Sequence, residues 1–365
     1  MSRAPIKRLL IEEGAETNAA RSGITGRLDS ILPQMVKRES LRQESSSLDM
    51  DKETLRLISF PGRILKPCPG TKEYICCGYQ ILNVGTNCPF DCSYCILQAY
   101  FNQPSLRVFV NLEERLKDVS QIIDLQPEKT FRIGTGEFTD SLALDPVTGW
   151  SDLLLPFFAE RKNAVLELKT KNDDIKRLLA SKYRERIIVS WSLNSRRIAV
   201  REEKRAPGIE ERIQAAKKCQ EEGFALGFHF DPLIHHKNWK EEYRQTLDML
   251  AKHIDPKGII WMSMGCMRYV PPLKEIIRKR HPGTHILDGE FVAGLDGKMR
   301  YFKPIRINMY GFMAERLAQW YGDLGLYLCM ESSEVWRKSL GWTPENTSGL
   351  TAYLDRRVDR FFGRA

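Results

Sequence analysis

The chain has 365 residues, 42% of them hydrophobic, enough for one large α/β domain or one domain with extensions. Its 56 Lys and Arg outnumber 47 Asp and Glu, a net +9 that suits an acidic partner such as DNA or another nucleic acid, although the excess is spread along the chain. No run of 18 apolar residues occurs, so no membrane-spanning helix is expected, and no apolar signal core follows the charges of residues 1–8. A cytoplasmic location is therefore expected, where the nine cysteines stay reduced and open to metal instead of forming a disulfide scaffold.

Residues 1–60 are polar and charged, with Ser45-Ser46-Ser47 among them, and read as a basic extension with one or two short helices. Pro61-Gly62 and the Pro-rich run 67–70 open the main domain. Strand-like and helix-like stretches then alternate: strand 79–84, helix 112–123, strand 130–133, helix 153–160, strand 164–168, helix 173–179 and strand 186–191. Ile209, Ile213, Ala216 and Cys219 recur at helical spacing, and Gly223 suits the position just past a helix end. A strand at 226–230 follows, then a helix with Trp239, Tyr243, Leu247 and Leu250 on one face, a strand at 258–262 and a helix over 273–277. About six such units imply parallel strands joined by right-handed crossovers. The expected architecture is α/β, a partial (β/α)6 TIM-type barrel over 61–282, with 283–365 as a C-terminal extension packed on it.

In such a barrel the chemistry gathers where strands end. The predicted ends carry Asn83 to Cys88, then Gly134-Thr135-Gly136-Glu137-Phe138-Thr139-Asp140, then Lys169-Thr170-Lys171-Asn172. The last three carry Ser190-Trp191-Ser192-Leu193-Asn194-Ser195, then His229-Phe230-Asp231-Pro232 leading to His235-His236, then Ser263-Met264-Gly265-Cys266-Met267-Arg268. Each alone is an ordinary turn, cap or surface pair; six in a row point to a site. The basic runs Arg196-Arg197, Lys204-Arg205 and Arg278-Lys279-Arg280 read as solvated faces before they read as phosphate tracks.

Cys88, Cys92 and Cys95 lie on one loop, in Asn87-Cys88-Pro89-Phe90-Asp91-Cys92-Ser93-Tyr94-Cys95. Three thiolates so close can hold three corners of a cubane [4Fe-4S] cluster, leaving one iron without a protein ligand and open to chemistry. The alternative is zinc, which wants a fourth ligand such as Cys68, Cys76, Cys77 or a distant histidine.

The spacing of three and then two residues, with Tyr94 before the last cysteine, resembles the signature of the radical S-adenosylmethionine (SAM) enzymes. The resemblance implies that SAM binds the open iron and is cleaved to a 5′-deoxyadenosyl radical, with an electron from a reductant such as flavodoxin or ferredoxin. Gly134-Thr135-Gly136-Glu137 is similar to that family's Gly-Gly-Glu motif: Glu137 would orient the SAM amino group, and Gly134 and Gly136 would let the backbone approach. Lys171, Ser192 and Thr139 would serve the SAM carboxylate, and Tyr94 would pack near adenine.

Within that superfamily the order of motifs resembles the spore photoproduct lyase family over about 67–282. The resemblance rests on the cysteine loop, on Arg107-Val108-Phe109-Val110-Asn111-Leu112-Glu113, on Thr170-Lys171 and on Ser192-Leu193-Asn194-Ser195. It continues in Arg212-Ile213-Gln214-Ala215-Ala216, Gly223 to Phe228, Pro232, Trp239, Tyr243 and Arg268. It implies reversal of a methylene-bridged thymine dimer in DNA, with a cysteine thiol quenching the product radical and a tyrosine pair relaying it back. Two departures stand out. The 134–139 segment, where the quenching cysteine is expected, has none, and Ile96 stands where the second tyrosine after Tyr94 is expected. Cys266, at a predicted strand end, is the first choice to replace the thiol, with Cys329 as the second. Two other readings stay open: a radical SAM enzyme on a non-nucleic-acid substrate, and a zinc- or cluster-stabilised nucleic-acid-binding module.

Overall fold

The computed structural model describes residues 6–31, 38–40, 51–71 and 73–363. The Ser45-Ser46-Ser47 run lies outside the described residues. All six expected barrel strands form: β1 (Gln80–Leu82), β2 (Phe131–Gly134), β3 (Ala164–Thr170), β4 (Ile187–Ser192), β5 (Ala225–Leu233) and β6 (Ile259–Cys266). They lie side by side in chain order, and every neighbouring pair is parallel. β4 shows why: Ile-Ile-Val-Ser-Trp-Ser is rich in β-branched and aromatic residues and is buried at all six positions, as a parallel strand covered on both faces must be.

The structure adds a seventh parallel strand, β7 (Leu326–Leu328), paired to β6 through Met262↔Leu326, Ser263↔Tyr327 and Met264↔Leu328. The stretch read as a packed extension thus supplies part of the sheet. Three residues are too few to show a strand period, and nearly sixty intervene after β6. The sheet stays open: β7 forms one edge, and Leu65–Pro67, antiparallel to β1, forms the other.

The crossover helices follow their apolar stripes. Helix α1 (Leu112–Asp124) buries Leu112, Leu116, Val119 and Ile123. Helix α2 (Ile209–Glu221) buries Ile209, Ile213, Ala216 and Cys219, and the chain reverses at Gly223 with φ +88°, a left-handed turn that glycine adopts without steric cost. Helix α3 (Trp239–His253) buries Trp239, Tyr243, Leu247 and Leu250. Helix α4 (Pro271–Arg280) begins on two prolines, which suit the first turn because its N–H groups lack intrahelical partners. Helix α5 (Lys303–Trp320) backs β6.

The N-terminal segment has its two helices, Glu16–Arg21 and Ile24–Ile31, but it also builds strands. Arg8–Ile11 and Thr54–Ile58 join Arg38–Ser40, Leu106–Phe109 and Gly85–Thr86 in a second, five-stranded sheet. Gly85–Thr86 leads directly into the cysteine loop, so this sheet anchors the loop's entry.

Candidate active site

Strand side chains alternate between faces, so residues two apart share a face. On the inner face of the half-barrel this alternation lines up Glu167 and Lys169 of β3, His229 and Asp231 of β5, Ser263 of β6, and Tyr327 with Cys329 at the end of β7. They surround a cleft of about 320 Å³. Its other wall is the cysteine loop, which contributes Cys88, Cys92, Tyr94 and Cys95.

The loop is held from several sides. Lys52 Nζ donates to the Cys88 carbonyl at 2.6 Å. Gln98 Nε2 reaches the carbonyls of Cys92, Ser93 and Cys95 at 3.2, 3.0 and 3.2 Å. Asn87 takes a left-handed φ of +65° and ties its amide to the carbonyls of Gln103 and Ser105. The two-residue strand Glu203–Lys204 pairs with Asp91–Cys92. Ser93 and Tyr94 donate their hydroxyls to Glu202 and Glu203. Behind Tyr94, Glu203 meets Arg212 at 2.5 Å, with both side chains shut from solvent.

Burial pushes the Cys88 thiol well up and the Cys92 thiol up to about 12, the latter against the pull of Lys171. Thiols in such a place become thiolates only when a cation takes the proton's role, which suits metal ligands. Among the described residues no three His, Cys, Asp or Glu side chains converge as ligands of a single ion. A cubane cluster asks for something different, since each cysteine ligates its own iron. Three thiols on one loop, facing one cleft, fit that donor set, and among the described residues no further side chain joins them as ligands of one zinc ion.

Opposite the loop the polar groups are ordered. Lys169 Nζ bonds Glu137 Oε1 at 2.7 Å; burial alone would lower the lysine's pKa, but the Glu137 carboxylate outweighs it and raises it. Lys171 is likewise raised against burial, by the charges of Cys92 and Glu203, and sits 5.7 Å from the Tyr94 ring centre. Asp140 accepts from the backbone N–H of Leu142, Ala143 and Lys171 and from Thr170 Oγ1, which fixes the turn carrying Glu137 and Thr139. Deeper, Glu167 accepts from Ser190 Oγ at 2.6 Å and Trp261 Nε1 at 2.7 Å and pairs with His229 Nε2 at 2.9 Å. Burial opposes its charge, but His229 and these donors hold the carboxyl down at about 2. Asp231 and Arg268 form a two-pronged ion pair, both contacts at 3.0 Å.

Of the residues singled out from sequence, Cys88, Cys92, Cys95, Tyr94, Gly136, Glu137, Thr139, Lys171 and Ser192 share this cleft. Gly134 and Cys266 do not line it. Gly134 leaves room for Tyr79: a Cβ there would stand 1.5 Å from Tyr79 Oη. Cys266 is inside β6, on the face of Met262 and Met264, with its sulfur 4.0 Å from Met309 Sδ of α5. The strand runs four residues past its expected end, so the alternation turns Cys266 outward. Cys329, two residues beyond Tyr327, lines the cleft and sits 3.7 Å from Arg268 Nη2. Sequence reasoning missed Glu167, although a carboxylate inside the apolar run Ala-Val-Leu-Glu-Leu is itself a signal. It also missed the Glu203–Arg212 pair, which only tertiary contact creates.

A half-barrel of sequential parallel strands with a three-cysteine loop after the first defines the radical SAM fold class. The family model described as spore photoproduct lyase matches residues 75–301, more than half of the chain, and the chain belongs to that family. It is 26% identical over 206 residues to a spore photoproduct lyase of Geobacillus sp. (strain Y412MC61), covering 56% of this chain and 60% of that protein. It is 27% identical over 209 residues to the Bacillus subtilis (strain 168) enzyme, covering 56% and 61%. The match thus spans about 60% of these relatives' length. A solved variant of spore photoproduct lyase with bound AdoMet and dinucleoside spore photoproduct superposes with a TM-score of 0.77 at 20% identity, covering 90% of this chain and 100% of that one. That likeness shows the shared fold.

Proposed function

We propose that the chain is a radical SAM enzyme that cleaves a C–C bond in a thymine lesion of DNA. One observation carries this reading: the three loop cysteines open onto the same cleft as Glu137, Lys171 and Ser192. Cys88, Cys92 and Cys95 would hold a [4Fe-4S] cluster, and the cleft opposite would hold SAM. Together these supply, when bound, a 5′-deoxyadenosyl radical. Glu137 keeps Oε1 on Lys169, and its second oxygen, without a hydrogen bond among the described residues, can receive a cationic amino group. Lys171, Ser192 and Thr139 offer a charge and two hydroxyls to a carboxylate. Gly136 lies where a Cβ would press on Lys169 at 2.8 Å, so a side chain there would push into the groups that receive the ligand. Tyr94 presents its ring to the cleft while its hydroxyl is spent on Glu203.

The relatives' names and the dinucleoside spore photoproduct bound by a solved relative support the lesion as substrate. With no cysteine in 134–139 and isoleucine at 96, a different thiol must end the reaction. Cys329, not Cys266, faces the cleft and takes that role here. No helix among the described residues is long and apolar enough to cross a membrane. Reduced thiols suit a cytoplasmic setting, with a carrier of the flavodoxin or ferredoxin type as electron source.

Anaerobic reconstitution tests the reading. About four iron and four sulfide per chain, reductive release of 5′-deoxyadenosine, and deuterium passing from a labelled dinucleoside lesion into it are expected. A colourless, zinc-loaded protein without SAM cleavage overturns it. SAM cleavage with no deuterium from the lesion would instead favour a substrate other than DNA.

A further inference from the structure

The outer side of the cysteine loop gathers positive charge from two distant parts of the chain. Strand Glu203–Lys204 pairs antiparallel with the loop, Lys204 opposite Asp91 and Glu203 opposite Cys92, which brings Lys204 and Arg205 beside it. From the other direction α4 ends on Arg278-Lys279-Arg280, and Arg280 bonds Asp91 Oδ1 at 2.9 Å. Thr284, just past α4, donates to Glu202 at 2.6 Å and closes the two segments together. Lys204, Arg205, Arg278 and Lys279 are exposed, and none lines the cleft.

The nearby acids do little to offset them. Asp91 is answered by Arg280, and Glu202 and Glu203 are buried. Arg278 pairs with exposed Glu275 at 3.1 Å, but Lys204, Arg205 and Lys279 make no ion pair among the described residues. A body resting on Lys204 is one strand, about 4.8 Å at ordinary strand spacing, from Asp91, the residue next to Cys92.

We infer that this face docks a small acidic one-electron carrier protein, with a flavin or an iron–sulfur centre. The inference rests on the cluster reading above and deepens it. A lesion must enter the cleft, whereas an electron needs only to reach the loop, and this charge lies behind the loop, outside the cleft lining. The exchange balances simply: the carrier loses one electron, the cluster gains it, and no bond or proton moves. Charge of one sign around the entry point raises encounter rates and makes them salt-dependent.

The test compares the reconstituted chain with a Lys204→Glu/Arg205→Glu/Lys279→Glu variant, which leaves the cleft and loop untouched. Three readouts are taken: calorimetric affinity for oxidised flavodoxin at several salt concentrations, cluster bleaching by flavodoxin hydroquinone and by titanium(III) citrate, and anisotropy with a DNA duplex. Expected are affinity that falls as salt rises and carrier-driven bleaching at least about tenfold slower in the variant, with titanium(III) bleaching within about twofold. Carrier affinity and bleaching unchanged by the variant overturn the inference. So does a variant that loses DNA affinity but keeps carrier-driven bleaching, which would make the face a phosphate track. A chain that takes up no cluster defeats the enzymatic reading instead. Docking is then judged by calorimetry alone, and binding insensitive to salt or to the variant overturns it.

Discussion

Replacing Arg212 by Met should weaken the whole protein through the buried charge it abandons. Arg212 is fully buried on α2. It donates Nε to the Pro207 carbonyl at 2.9 Å and Nη1 to the Ser192 carbonyl at 3.0 Å, and brings Nη2 to 2.5 Å from Glu203. The last contact is close but poorly aligned, so charge more than hydrogen bonding holds it. Burial would raise the Glu203 pKa, yet Arg212 and Lys171 hold it below the usual carboxylate range. Breaking one half of such a pair costs about 3–5 kcal/mol, because an uncompensated charge stays behind. Wild-type Glu203 stabilises the fold above its unfolded pKa, a gain lost as pH falls. In Arg212→Met its folded pKa rises above the unfolded one, so stability is lost as pH rises. The gap between the two proteins is therefore widest near neutrality and narrows toward pH ~4. Urea midpoints by tryptophan fluorescence at pH 7 and pH 4.5 measure it. The double variant Arg212→Met/Glu203→Gln should recover about 2 kcal/mol of the loss, since removing both charges costs far less than orphaning one. A single variant costing under about 1 kcal/mol, a loss equal at both pH values, or a double variant no better than the single would refute this account of the pair.

Gly134→Ala places a Cβ 1.5 Å from Tyr79 Oη and 2.9 Å from the Glu167 carbonyl; soluble yield should collapse and Tyr79→Phe should restore part of it, whereas a normally folded G134A would contradict the packing. Glu167, held at about 2, adds stability that is complete above its unfolded pKa of about 4.5 and disappears as pH falls toward 2, about 3 kcal/mol in all. Glu167→Gln should flatten the acid limb of the melting-temperature profile, and an unchanged limb would show that other carboxylates set it. Cys329→Ala should still release 5′-deoxyadenosine but shift the lesion products, while Cys266→Ala should leave the products alone; the reverse pattern would return the quenching role to β6.

Six strands and the polar turns at their ends could be read from the chain because their patterns are local. The apolar run of β4 and the Ile209–Cys219 stripe of α2 each lie within one turn-bounded segment. The cysteine loop is more local still, since three cysteines on eight residues need no tertiary information. What failed was depth and face. Placing chemistry at strand ends locates a residue along the barrel axis but not on its inner or outer side. Position along the strand puts Cys266 near the site, but alternation turns it toward Met309. Glu167 stands inside β3 and not at its end, yet the same alternation points it inward beside Lys169.

The contacts that stabilise the loop depend on neither pattern. Glu203, Arg280 and Lys52 reach it from three separate segments, and Arg212 holds Glu203 from a fourth. In sequence Glu203 is one charge among many, with nothing to mark it as buried. The Lys204-Arg205 run looks like a solvated face for the same reason, and it remains solvated in the fold. Its meaning changes only because Glu203 and Lys204 pair with the loop as a strand, which places that charge against the outside of the site. A basic run gains information when its neighbours carry buried acids, as Glu202 and Glu203 do here. Such acids must find cations or hydroxyls inside the fold, and the partners they find, Arg212, Tyr94, Ser93 and Thr284, are the ones that bind the cysteine loop to the barrel.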